Sequence, residues 1–311
     1  MNARDVRSCQ AGNHEHPAIE PFTAAPGKSH RVNGHYNGRT LILFFVLAYA
    51  ITWTLFIAVA VAIPARTAPG YALVLAGAFA PGIVALLLTA WKEGVDGVRA
   101  LIGRILIADV AARYYLFAVS YMLSVKLTAA MLHRAMLGTW PRFGDEPLLL
   151  MPLAVAFSTP FQAGEELGWR GYALPRLAAR FGLARAGLVL GAIWAFWHLP
   201  QFYIADADTY HQPFIVWGAQ VVAVSVTFAW LYAKTGGSLL LVMLLHAAIN
   251  NTKDIVPAGA APPPGVFSLH APAISWLTLG LLWVWALVLR RYAWPPGAAI
   301  EAATAPGARV G

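Results

Sequence analysis

Apolar runs of about 20 residues recur along this chain, each long enough to cross roughly 30 Å of hydrocarbon as a helix. Few soluble folds accept such a pattern, and the composition agrees with it. Of 311 residues, 59% are hydrophobic and 12% charged, whereas a soluble chain carries about 25% charge. The expected fold is all-α, a polytopic membrane bundle of about eight transmembrane helices. The spans fall near 40–63, 70–91, 114–137, 148–168, 185–204, 212–233, 237–253 and 273–291. Between the second and third, Val98, Leu101, Ile102, Ile105 and Ile107 alternate with Arg99, Arg104 and Asp109, the pattern of an amphipathic helix lying in the interface. Pro262-Pro263-Pro264-Gly265 marks a loop before the last span.

The flanks read differently. Residues 1–39 are polar, rich in His, Asn, Gly and Pro, and lack periodicity, so a disordered cytoplasmic extension is expected there. Its histidines (His14, His16, His30, His35) show no metal-ligand spacing. The single cysteine, Cys9, excludes an intrachain disulfide, and the first span is expected to serve as an uncleaved anchor. The transmembrane domain then runs over 40–293 and a cytoplasmic tail over 294–311.

A net charge of +8 raises the question of nucleic acid, but the basic residues are scattered in loops with no binding motif, and no nucleic-acid partner is expected. The excess fixes orientation in the bilayer instead. With the N-terminus inside, the inner loops collect 17 of the 22 Lys and Arg residues. They include Arg39, Lys92, Arg99, Arg104, Arg113, Arg170, Arg176, Arg180, Arg185, Lys234, Arg290 and Arg291. The expectation is a multi-pass protein of the inner (cytoplasmic) membrane with both termini cytoplasmic and the loop holding Asp206 and Asp208 outside.

Within these spans lie polar groups that lipid-depth helices rarely carry. Glu165 and Glu166 are adjacent, and an intramembrane acidic pair is a functional-site hypothesis by default. Glu166 and Arg170, four residues apart, share a helical face and suit an ion pair, with Glu165 turned about 100° away. That division lets Arg170 hold Glu166 ionised while Glu165 serves as a base. Pro160 interrupts the helix just before the pair, with Ser158 and Thr159 placed to satisfy the freed carbonyls. His198 lies in Trp194-Ala195-Phe196-Trp197-His198-Leu199-Pro200. His246 and Asn250 fall on one side of a single span, where imidazole and carboxamide can grip one oxygen, and a buried Asn suits an oxyanion site. Asp254 continues that stripe beside Lys253 and reads as a solvated helix end. Lys126, mid-span, is placed either to snorkel or to pair with a carboxylate. His133, His211 and His270 take no role.

Glu165-Glu166-x-x-x-Arg170, the aromatic-x-x-x-His198 stretch and His246-x-x-x-Asn250 resemble the three motifs of the CPBP family. These are membrane endopeptidases related to type II CAAX-prenyl proteases and to bacteriocin self-immunity proteins. Gly168-Trp169-Arg170-Gly171-Tyr172 and His198-Leu199-Pro200 strengthen the resemblance, which covers about residues 95–255. Trp194 stands where the family most often has Phe, a departure that puts little in doubt. The resemblance implies an eight-helix CAAX-protease-like bundle with a conical cavity opening toward the cytosol. It also implies that Glu165 activates a water, His198 assists, His246 and Asn250 stabilise the oxyanion, and Glu166 and Arg170 support the site.

The expected function is therefore an intramembrane endopeptidase cutting a membrane-anchored or lipidated (CAAX-like) protein or peptide, with the lipid bilayer as its other partner. Two further readings stand beside it. A non-proteolytic scaffold or immunity protein would use the polar cluster only to bind, and a transporter would use it as an ion relay, although no internal hydropathy repeat is evident. The CPBP family was first described as metalloproteases, and Glu165, Glu166, His198 and His246 are the residues available to a zinc ion. The compact His-Glu-x-x-His signature is absent, and a glutamate-activated water requires no cofactor, which is the favoured expectation.

Overall fold

A computed structural model describes residues 38–145, 147–210, 212–257, 265–292 and 294–295. The N-terminal extension with its histidines and Cys9, the proline run at 262–264 and the C-terminal tail lie outside the described residues.

Every regular element among the described residues is helical. In chain order they are α1 (Gly38–Val61), α2 (Ala68–Gly103), α3 (Ala112–Leu137), α4 (Met151–Ser158), α5 (Ala163–Glu166), α6 (Leu174–Phe181), α7 (Leu183–Trp197), α8 (Phe214–Lys234), α9 (Leu239–Thr252) and α10 (Ala273–Tyr292). α4, α5 and α6 form one interrupted pass, so the described residues make eight passes, close to the positions expected. Six of them are long and apolar enough to cross a membrane: α1, α2, α3, α7 with its following turn, α8 and α10. The chain is a multi-pass membrane protein. The two passes outside that set are the interrupted one and the 14-residue α9.

The hairpin ends sort onto two faces. On one, Ser238 Oγ donates to the Ile107 carbonyl at 2.7 Å, Arg104 donates to the Tyr232 hydroxyl at 2.8 Å, and Arg176 pairs with Glu93 at 2.7 Å. On the other, Arg66 pairs with Asp206 at 2.9 Å, and the Gly144 N–H donates to the Ile255 carbonyl at 3.1 Å. α1 begins and α10 ends on the first face.

The expected interfacial helix proves to be the end of α2. Gly94, at φ 69° and ψ −164°, breaks the helical path there. Glycine takes this left-handed geometry without the Cβ clash that other residues meet. Beyond it the helix resumes with Leu101 buried and Arg99 and Ile102 exposed, which preserves the amphipathic pattern while joining it to the second span.

Lipid tails are as apolar as leucine, so these helices associate through close packing rather than water exclusion. A close backbone approach brings α2 against the interrupted pass. A methyl group at Gly82 would lie 2.7 Å from the Gly164 carbonyl oxygen, and one at Gly168 would lie 2.7 Å from the Pro81 carbonyl. Beside this contact Trp169 sits at 5.6 Å from Trp197 and from Phe44, ring centre to ring centre. Glu165 and Glu166 follow directly from the glycine contact, so their position is fixed by backbone on backbone.

Candidate active site

The interrupted pass is built by its sequence. Pro160 has no N–H to continue the helical ladder, and residues 159–162 tighten into a 3-10 turn. Thr159 Oγ1 donates to the Val155 carbonyl at 2.7 Å and Ser158 Oγ does so at 3.3 Å. But that carbonyl also accepts the Thr159 N–H and is not the one at Ala156 that Pro160 leaves without its helical donor. The short α5 carries the two glutamates, and Leu167–Ala173 then widens into a π-helical stretch in which all seven residues are buried. Such wide turns are rare and cluster at functional sites. Arg170 lies inside this stretch with no exposed surface. It belongs to the protein core, and the inner-loop basic count loses it.

Glu166 is fully buried and doubly held. Its Oε1 accepts from Arg170 Nη1 at 2.8 Å and from His246 Nδ1 at 2.7 Å. The ion pair is the one expected from the spacing, whereas the histidine contact is long-range and was not legible. Arg170 is further clamped between aromatic faces, its guanidinium carbon 4.1 Å from the Trp194 ring centre and 4.0 Å from that of Phe228. Desolvated cation–π contacts of this kind contribute about 2 kcal/mol. They stand in for hydrogen bonds at Arg170 Nε and Nη2, which have no partner among the described residues.

Trp194 joins the parts of the site. Its indole N–H donates to Glu165 Oε2 at 2.8 Å, its carbonyl accepts from His198 Nδ1 at 2.8 Å, and its ring meets those of His198 and His246 edge-on at 5.4 Å. The departure from phenylalanine at this position is therefore consequential, because phenylalanine has no donor for Glu165. A carbonyl and a carboxylate can only accept, so His198 and His246 each spend Nδ1–H on a protein oxygen. Each neutral ring then presents Nε2 as an acceptor, and it becomes a donor there only when protonated.

These groups meet at one cavity of about 300 Å³, lined by Glu165, Trp194, His198, His246 and Asn250 together with Lys126, Lys253, Asp254 and Asp208. Four of the residues singled out in the sequence thus converge from three separate passes, and Glu166 and Arg170 stand behind them. Asn250 corrects one expectation: it is exposed rather than buried, so its amide faces the cavity instead of being held within the bundle. Asp208 and Asp254 are the more exposed lining groups, which places the cavity mouth on the face opposite the start of α1 and the end of α10. Here two expectations collide. A cytoplasmic start of α1 and end of α10 and a cavity opening toward the cytosol exclude one another among the described residues.

The residues present do not fit a metal ion. Glu166 Oε1 already receives two donors, and among the described residues no three His, Cys, Asp or Glu side chains gather as ligands of one ion. Within the set Glu165, Glu166, His198 and His246, Glu166 bonds His246 while Glu165 and His198 each bond Trp194.

Residues 145–252 match the sequence profile of the family described as type II CAAX prenyl endopeptidase Rce1-like. Over this stretch the chain is similar to that family. The matched stretch contains all six motif residues and begins later than the range from residue 95 expected from the sequence. The CAAX prenyl protease 2 of Methanococcus maripaludis is 29% identical over 115 residues, which cover 35% of this chain and 40% of that protein. The chain thus spans less than half the length of the curated relative it matches. The Rce1-like segment coincides with the interrupted pass, α7, α8 and α9, the elements that build the cavity.

Proposed function

We propose that the protein is an intramembrane endopeptidase that hydrolyses a peptide bond in a membrane-anchored or lipidated protein, with Glu165 as the base. One observation carries this reading: Glu165, His198, His246 and Asn250 line a single cavity, although they arrive from three passes. Trp194 holds one oxygen of Glu165, leaving the other for a water. As that water attacks the scissile carbonyl carbon, Glu165 takes its proton and the carbonyl becomes an oxyanion. The Asn250 amide donates to the oxyanion, and His246 joins it when protonated at Nε2. Collapse of the tetrahedral species breaks the C–N bond, and the proton held by Glu165 passes to the leaving amine, with Nε2 of His198 as relay. No metal enters these steps. Glu166 and Arg170 act at a distance by fixing His246.

A binding scaffold would have use for the buried Glu166–Arg170–His246 network, but not for a base and an amide both facing an open cavity. The name of the archaeal relative supports a lipidated, CAAX-like substrate. The charge distribution of this chain supports cytoplasmic termini, and so a cavity mouth on the other face.

The decisive experiment compares protein N-termini in membranes carrying wild type and Glu165→Gln. The variant keeps the shape of the residue but cannot take the proton, so hydrolysis should fall by about 10²–10⁴ and a set of cleaved termini should disappear. Asn250→Ala should lower turnover about 10²–10³ with little change in substrate affinity. An unchanged set of termini in both variants would sink the protease reading.

A further inference from the structure

Lys126 lies in the middle of α3, only 4% exposed, and lines the same cavity as Glu165. Its Nζ donates to the Val256 carbonyl at 2.9 Å, and it forms no ion pair among the described residues. Lys253, the other ammonium in that cavity, is saturated by comparison. It reaches Asp208 Oδ2 at 2.8 Å, Asp254 Oδ2 at 2.6 Å and the Asn250 carbonyl at 3.2 Å. Those contacts also consume the two aspartates, while Glu165 is held by Trp194.

An ammonium carries three donors, so Lys126 retains two that no described residue uses. A tie to one carbonyl does not require a charge, since a neutral amide donates equally well there. Keeping a full positive charge in a buried wall costs several kcal/mol when no counter-charge accompanies it. The arrangement becomes favourable once an anionic oxygen enters the cavity, because charge-assisted hydrogen bonds are roughly twice as strong as neutral ones.

We propose that Lys126 anchors a carboxylate of the bound peptide and so sets which bond rests at Glu165. The carboxylate is either the C-terminus of the peptide or an acidic side chain near the cut. This rests on the peptidase reading of the site and assigns it a specificity-determining residue. Lys126 takes no part in the bond-breaking steps.

The test uses purified full-length protein and calorimetric affinities for three probes: N-acetyl-Ala-Val-Leu as the free acid, the same peptide as its amide, and N-acetyl-Ala-Glu-Leu amide. Wild type should bind one of the two carboxylate-bearing probes at least about tenfold more tightly than the neutral amide, and the preferred one identifies the source of the carboxylate. Lys126→Met should abolish the preference while Lys126→Arg keeps it, and Lys126→Gln supplies a second neutral variant should methionine impair folding. No preference in wild type, a result that needs no variant, would overturn the proposal. So would a preference that survives in Lys126→Met. Lys126-dependent binding of glycerol 3-phosphate without any carboxylate preference would assign the lysine to a lipid headgroup instead, and would equally overturn it. Proteolysis intact in wild type and lost in Glu165→Gln, with no carboxylate preference, would leave the protease reading standing and remove only this one.

Discussion

α1 and α9 look alike as strings of apolar residues, yet the bundle treats them in opposite ways. α1 buries six of its 24 residues, at Thr40, Phe44, Ala48, Thr52, Phe56 and Val59, a single stripe advancing by about one turn at each step. Ile42, Val46 and Val61 on its other sides stay exposed. α9 buries nine of its 14 residues, most of its circumference, and carries His246 at its centre. The second half of the interrupted pass resembles α9, with its entire π-helical stretch buried, whereas α4 before it buries only Val155. Helices facing lipid can be long, regular and tolerant of change, because lipid solvates leucine as well as protein does. Helices enclosed by others are released from the need to span and can break, widen and hold charge. Glu165, Glu166, Arg170, His246 and Asn250 sit on the enclosed pair for that reason, while His198 is supplied by the end of α7.

This contrast is open to attack, beginning with the largest effect. Arg170→Ala strands Glu166 beside His246 and removes the group stacked on Trp194 and Phe228, which should cost about 3–5 kcal/mol of stability. Thermal melting in detergent would register it as a large fall in midpoint and poor accumulation in membranes. Gly168→Val places new atoms against the Pro81 carbonyl and should cost about 1–3 kcal/mol through overpacking; chemical denaturation in micelles measures this. It should also displace Glu165 and depress turnover, although residue 168 touches nothing in the cavity.

Trp194→Phe preserves the aromatic face over Arg170 but deletes the donor to Glu165. A hydrogen bond to a charged group contributes about 1.5–3 kcal/mol, so turnover should drop at least about tenfold with the fold intact. Normal activity in this variant would return Trp194 to the role of a filler. The smallest effect belongs to the lipid face, where Leu87, 64% exposed, should tolerate alanine within about 0.5 kcal/mol. A comparable loss at Leu87 and Gly168 would erase the distinction between the two classes of helix.

Much of this was legible in the sequence, and the exceptions share a cause. The eight passes, the Glu166–Arg170 pair and the common side of His246 and Asn250 follow from spacing along one helix, where geometry is fixed by 3.6 residues per turn. The Pro160 break is likewise local. What escaped were contacts between passes: His246 on Glu166, the Trp194 indole on Glu165, Lys126 on the Val256 carbonyl, and Gly82 against the Gly164 carbonyl. Each depends on how two helices rotate and slide against one another, which no period in either sequence encodes. Gly94 is intermediate. A glycine between an apolar run and an amphipathic one can be read as a bend, but its joining of the two into α2 required their packing.

The position of the cavity mouth, on the face away from the start of α1 and the end of α10, would decide which compartment supplies the proposed reaction. On the proposed peptidase reading, and with the basic-rich ends in the cytoplasm, both the hydrolytic water and the substrate backbone would enter from the opposite aqueous phase, and the cytoplasm would not wet Glu165. A charged inhibitor unable to cross the bilayer would then silence the protein in intact cells as fully as in broken membranes, and a cysteine placed at Ala205 would react with an impermeant maleimide while one at Ala108 would stay hidden. Reversal of both results would turn the protein over in its membrane and hand its substrates to the cytoplasm.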